Sequence, residues 1–248
     1  NYNHYCFFMF NFRRVFRTPK PVIGMIHLSG DTHEQKLVRA LEELAIYESE
    51  GVDGAIVENF HGDMNNLMDA MEAIAERDNK LVVGVNALGR IGDAFSLASH
   101  YGGSFVQVDS VQPRDFDLDY WSDVRKANPR LIVLGGVRFK YSRESMRTLP
   151  DSLKVAMDRC DAIVTTGEGT GEETPIDKLQ DFKRLAPSFP VIAGSGVEKH
   201  NCYETLDNCD GIIVGSYFKP GKDTTLRVNP AKVREIMTIA REVRSKYK

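Results

Sequence analysis

From Pro21 onward, short runs of apolar and β-branched residues alternate with longer stretches whose apolar positions recur every three or four residues. The short runs include VIGMI, GAIV, LVVGV, LIVLGG, AIV, PVIAG and GIIVG. They are almost unbroken by polar residues, as expected of parallel strands covered on both faces. Strands are predicted to begin at Val22, Gly54, Leu81, Phe105, Leu131, Ala162, Val191 and Gly211, spaced 20–32 residues apart. That spacing is the length of a strand–turn–helix unit. Residues 36–50 place Leu37, Leu41, Leu44 and Ala45 on one helical stripe, with Gly51 as the C-cap. Residues 65–77 do the same with Leu67, Met68, Met71 and Ile74. Further helices are predicted over 151–159, 177–185 and 230–243, the last entered through Asn229-Pro230, an N-cap followed by proline. A helix-like segment of about a dozen residues is expected between the last two strands.

Eight such units in 248 residues predict a single (β/α)8 TIM barrel over residues 20–248, preceded by an aromatic and basic extension, residues 1–19. An open doubly wound sheet is disfavoured, because no G-x-G-x-x-G follows the first strand. The extension carries Phe7, Phe8, Phe10, Phe12 and Phe16 beside Arg13, Arg14, Arg17 and Lys20. It reads either as aromatics plugging the bottom of the barrel or as the remnant of a targeting or membrane-surface segment.

Composition narrows the partners. A formal charge of −3 gives no reason to expect nucleic acid. Cys6, Cys160, Cys202 and Cys209 show neither C-x-x-C nor zinc spacing, which suits reduced thiols in a cytoplasmic protein. No run approaches the roughly 18–20 apolar residues of a membrane span. No cofactor is expected, and nothing in the pattern supports a divalent metal. Assembly into a homo-oligomer is compatible with the sequence.

The candidate chemistry lies at strand ends, where (β/α)8 enzymes place it. Strands 7 and 8 end in Gly194-Ser195-Gly196 and Gly215-Ser216. Paired glycine turns there suit a phosphate group, because free backbone N–H groups can converge on an anion. Thr166 and Gly167 after strand 6 are expected to close a third side. Polar residues ending the other strands are His27, Glu58, Asn59, Asn86, Gln107, Asp109, Arg138 and Lys140. Strand alternation puts Gln107 and Asp109 on the face of Phe105, and Arg138 and Lys140 on that of Ile132 and Leu134. His27, Glu58, Asp109, Arg138 and Lys140 are the expected acid/base set, with Asn59, Asn86 and Gln107 as other pocket residues. A rim ion pair between Asp109 and Arg138 is the competing account. No Ser-His-Asp order and no H-E-x-x-H supports nucleophilic or metal-assisted hydrolysis.

Over about residues 20–245 the chain resembles the BtpA family. The resemblance rests on KPVIGMIHL (20–28), GVDGAIVEN (51–59), residues 84–108, DAIVTTGEGTG (161–171), PVIAGSGV (190–197) and DGIIVGSYFK (210–219). It implies a phosphate-binding TIM barrel and no particular reaction. The chain departs from the family pattern at Ser29-Gly30-Asp31, where a proline-rich loop is usual, at Gln107, where an arginine is expected, and at Arg138, where a histidine is common.

Two functions are therefore expected to compete. One is an enzyme of isomerase, epimerase or lyase type acting on a small phosphorylated sugar or nucleoside. The other is a non-catalytic assembly or stability factor, related to photosystem I biogenesis through the family resemblance and peripheral at a membrane surface. A charged cluster lining a pocket at the strand C-termini favours the enzyme; a filled mouth with an exposed apolar patch favours the factor.

Overall fold

A computed structural model describes residues 11–113, 116–140 and 147–247. Eight parallel strands close into a barrel in sequence order: β1 (Val22–Ile26), β2 (Gly54–Glu58), β3 (Val82–Asn86), β4 (Phe105–Val108), β5 (Ile132–Gly136), β6 (Ala162–Thr165), β7 (Val191–Ala193) and β8 (Gly211–Val214). The helices between them are α1 (His33–Glu50), α2 (Met64–Ala75), α3 (Ile91–His100), α4 (Leu118–Ala127), α5 (Leu149–Arg159), α6 (Ile176–Leu185), α7 (Cys202–Asp207) and α8 (Pro230–Arg244). The predicted starts hold at six strands, and β3 and β5 begin one residue after Leu81 and Leu131. The segment between β7 and β8 differs from expectation: α7 has only six residues, because residues 194–201 are taken up by loop.

Alternation along each strand divides the core in two. Ile23, Met25, Ile56, Phe105, Leu134, Val164, Ile192 and Ile213 pack inside the barrel, while Val22, Ile26, Val57, Val106, Val133 and Ile212 pack outward against the helices. Phe12 and Phe16 belong to the inner cluster, with Phe16 at 5.4 Å from the Phe105 ring. Phe7, Phe8, Phe10 and Cys6 lie outside the described residues. Gly84 makes room for Phe105, whose ring stands 2.3 Å from where a Cβ would be. Gly51 adopts φ 79° as the C-cap of α1, and the Asn229 side chain accepts from the Ala231 N–H at the start of α8.

The strand N-termini repeat one device. Asp53, Asp161 and Asp210 stand just before β2, β6 and β8, and each accepts the N–H of a neighbouring strand: Val22 at 2.8 Å, Val133 at 2.8 Å and Val191 at 2.9 Å. Each also pairs with a helix cation, Arg244, Arg125 and Lys183 respectively. Every bottom-rim carboxylate of this set therefore has both a charge partner and a hydrogen-bond donor, which is what makes a buried charge tolerable.

Candidate active site at the barrel mouth

The opposite end of the barrel holds a cavity of about 350 Å³. Its floor is the last apolar layer of the interior, Met25 and Ile213. One side is built from backbone. Gly194–Gly196 and Gly215-Ser216 line it, and among the described residues the N–H groups of Ser195, Gly196, Gly215 and Ser216 donate to nothing. The Gly194 N–H is engaged by Thr165 O at 2.9 Å. Gly196 has φ 62°, and a Cβ there would stand 2.2 Å from the Glu172 carbonyl carbon. That contact requires glycine on steric and conformational grounds together.

The third side differs from expectation. Thr170 and Gly171 line the cavity, while Thr166 and Gly167 do not. Thr166 Oγ1 accepts the Lys140 N–H at 2.7 Å, and the Gly167 N–H donates to Ser195 Oγ at 3.1 Å. Ser195 Oγ in turn donates to Glu172 O at 2.9 Å. Thr166 therefore ties the loop after β6 to the loop after β5, while Gly167 and the Ser195 hydroxyl lock it onto the loop after β7. The lining pair lies three and four positions beyond the expected Gly167, and the repeated glycines of TTGEGTG are the local signal for it.

The facing side is built from charged and amide side chains. Glu58 and Asn86 are directly opposite in the β2–β3 register. Asn86 Nδ2 donates both to Glu58 Oε1 at 2.8 Å and to Asp109 Oδ1 at 3.0 Å, so one buried amide holds two carboxylates together. Burial, and then the charge of Asp109, push the Glu58 carboxyl up to about 7, with Lys140 and the Asn86 hydrogen bond acting against the rise. Lys140 and Phe139 complete this wall. Among the described residues no Lys, Arg or His lies within ion-pair distance of Glu58 or Asp109.

His27 stands between the two sides, the Cε1 of its ring 3.1 Å from where a Gly215 Cβ would be. Burial, with the charges of Lys219, His61 and Lys140, lowers it to about 3, so the ring is neutral at physiological pH. Lys219, fully buried in an ion pair with Glu43, was not anticipated from the sequence. Phe60, half exposed, lines the mouth with its ring 5.5 Å from that of His27.

Besides Thr166 and Gly167, three expected residues do not line the cavity: Arg138, Asn59 and Asn86, the last of which stands behind the lining as the bridge between Glu58 and Asp109. Arg138 has φ 47°, which breaks the alternation running from Ile132 and Leu134, and it lines a separate depression with Glu168, Asp177 and Lys178. Phe139 takes the inward position instead. Asn59 is spent on the fold, its Oδ1 accepting the Leu88 N–H at 2.8 Å. No group of three or more His, Cys, Asp or Glu among the described residues is placed to hold a metal ion. No helix is long and apolar enough to cross a membrane, again among the described residues.

Comparison with known proteins places this geometry. The BtpA family profile matches residues 124–242. An uncharacterised protein of Pyrococcus furiosus is 30% identical over 230 residues, covering 81% of this chain and 87% of its own length. The photosystem I biogenesis protein BtpA of Synechocystis is 27% identical over 251 residues, covering 89% and 88%. Among solved structures, N-(5'-phosphoribosyl)anthranilate isomerase from Pyrococcus furiosus superposes with a TM-score of 0.62 over 90% of this chain and 99% of its own, at 16% identity. At that identity the likeness speaks for the fold.

Proposed function

The chain belongs to the BtpA family, and from the mouth of its barrel we propose that this member is an enzyme moving a proton on a small phosphorylated sugar or nucleoside, in an isomerase, epimerase or lyase type of reaction. The observation that carries the reading is one cavity with unengaged backbone N–H groups on one side and a carboxyl near pKa 7 on the other. The phosphate sits against Ser195-Gly196 and Gly215-Ser216. Binding energy from that remote group holds the reacting carbon against the opposite wall. Glu58 in its ionised form takes a proton from the carbon next to a carbonyl, and Lys140 stabilises the oxygen anion that develops. The proton then returns from Glu58 to carbon. A base near pKa 7 is both ionised and strong enough for this step at neutral pH. Asp109 raises that basicity, and Asn86 holds the two carboxyls in register. The phosphoribosyl isomerase named above, with the same fold, supports the substrate class by analogy.

The competing role as an assembly factor draws on the name of the Synechocystis relative. A filled mouth would have favoured it, whereas a cavity walled by Glu58, Asp109 and Lys140 favours catalysis. A cytoplasmic location is part of the proposal, consistent with Cys160, Cys202 and Cys209 being free and buried.

The test is calorimetric titration of inorganic phosphate into wild type and Gly196→Asp, followed by NMR detection of solvent deuterium entering ribose 5-phosphate. Phosphate binding that Gly196→Asp abolishes is the expected result. A wild type that fails to bind phosphate, or a variant that binds it equally well, overturns the assignment of the site.

A further inference from the structure

Buried polar atoms nearly always find a hydrogen-bond partner, so each that does not requires an account. Among the described residues, His27 Nδ1 and Gln107 Oε1 are left without one, and both side chains line the mouth cavity. Arg39, Gln112, Asp161, Thr165 and Thr174 also carry such atoms but do not line the cavity.

The chemistry of the two cavity atoms is constrained by their neighbours. Asp109 beside Gln107 is an acceptor when ionised, so the amide turns its NH2 toward that carboxylate, with Nε2 3.4 Å from Oδ1. Oε1 is then an acceptor without a donor, on a side chain only 5% exposed. The terminal amide torsion is soft, so this oxygen can tilt toward a ligand at little cost. His27 is neutral and has a single N–H. With an acceptor-only phosphate beside Gly215, that hydrogen belongs on Nε2, which leaves Nδ1 as a second acceptor. Gln107 Oε1 and His27 Nδ1 are therefore two buried acceptors without a donor, on a wall that Lys140 also lines, and a ligand hydroxyl can supply the missing donor.

We infer that the cavity takes a phosphorylated polyhydroxy carbon chain, with Gln107 as the specificity-determining residue whose Oε1 accepts a hydrogen bond from a ligand hydroxyl. The inference rests on the phosphate reading above and narrows it from a phosphorylated sugar or nucleoside to a sugar phosphate selected through a hydroxyl at Gln107. A ligand with phosphate but no hydroxyl leaves Oε1 buried and unpaired, and a site built around a ligand hydroxyl discriminates strongly against an analogue lacking it.

The experiment compares inorganic phosphate, ethyl phosphate and ribose 5-phosphate by calorimetry on the full chain and on Gln107→Met, which keeps side-chain length and removes the acceptor. Wild type is expected to bind ribose 5-phosphate about tenfold or more tighter than ethyl phosphate. In Gln107→Met that margin should shrink to within about threefold, with affinity for inorganic phosphate unchanged. Equal affinity of wild type for ribose 5-phosphate and ethyl phosphate overturns the inference even if the variant does not fold. So does a margin that survives in Gln107→Met. Failure of wild type to bind inorganic phosphate at all instead overturns the underlying phosphate site, so the two failures are distinct.

Discussion

The two ends of the barrel use carboxylates in opposite ways. At the bottom, Asp53, Asp161 and Asp210 each hold a strand N–H and a cation, so their charges are compensated. At the mouth, Glu58 and Asp109 share the donor Asn86, and burial, reinforced by the charge of Asp109, pushes Glu58 up to about 7. Fold stability favours the first arrangement. The second stores an unfavourable interaction where chemistry can use it, as expected where activity and stability trade off.

The contrast breaks most visibly at the bottom. Asp161→Ala strands Arg125 and the Val133 N–H, and should cost about 3–5 kcal/mol of unfolding free energy in urea. Turnover per folded molecule should be unaffected; a loss below 1 kcal/mol would mean that the bottom carboxylates do not carry the rim. Glu58→Gln should do the reverse. A carboxyl held near 7 in the fold and near 4.5 in the unfolded chain contributes stability that is full below pH 4.5 and lost as pH rises through 7. The glutamine variant should therefore gain roughly 3 kcal/mol over wild type at pH 8 and nothing at pH 4. Denaturant curves at both pH values check this, and a gain independent of pH would refute the raised pKa.

Asp109→Asn sharpens the comparison further. Turnover of the substrate should fall by about 10² or more while the melting temperature stays or rises. A fall in stability alone would make Asp109 a structural acid like those at the bottom. His27 should supply a slope of opposite sign to that of Glu58. Held near 3 in the fold, it makes stability fall as pH drops from 6.5 toward 3. The smallest effect is expected on the backbone side of the mouth. Ser195→Ala removes the hydrogen bond to Glu172 O and the acceptor of the Gly167 N–H, costing about 1–2 kcal/mol in urea without altering the pH dependence.

Much of the fold was legible because a parallel strand buried on both faces needs an unbroken apolar run, as in Leu131–Gly136 and Gly211–Val214, and such runs announce themselves locally. The glycine turns at 194–196 and 215–216 were legible for the same reason. Arg138 shows the limit. Strict alternation aims it inward, but one residue at φ 47° turns it away and gives the position to Phe139. Thr170-Gly171 escaped notice because its place is set by contacts of residues 167–173 with Ser195 and Gly196, over twenty residues away in sequence.

The sequence by itself determined eight strands in order, five of the eight α-helices among the described residues and the polar residues at the strand ends, because hydrophobic periodicity and turn chemistry act over a few residues. Only the tertiary structure decided that Asn86 would grip Glu58 and Asp109 at once, that Lys219 would be buried against Glu43, and that Gln107 Oε1 would be left without a donor. Charge proximity, desolvation and polar satisfaction depend on distances between residues tens to more than a hundred positions apart, and barrel closure is what sets those distances.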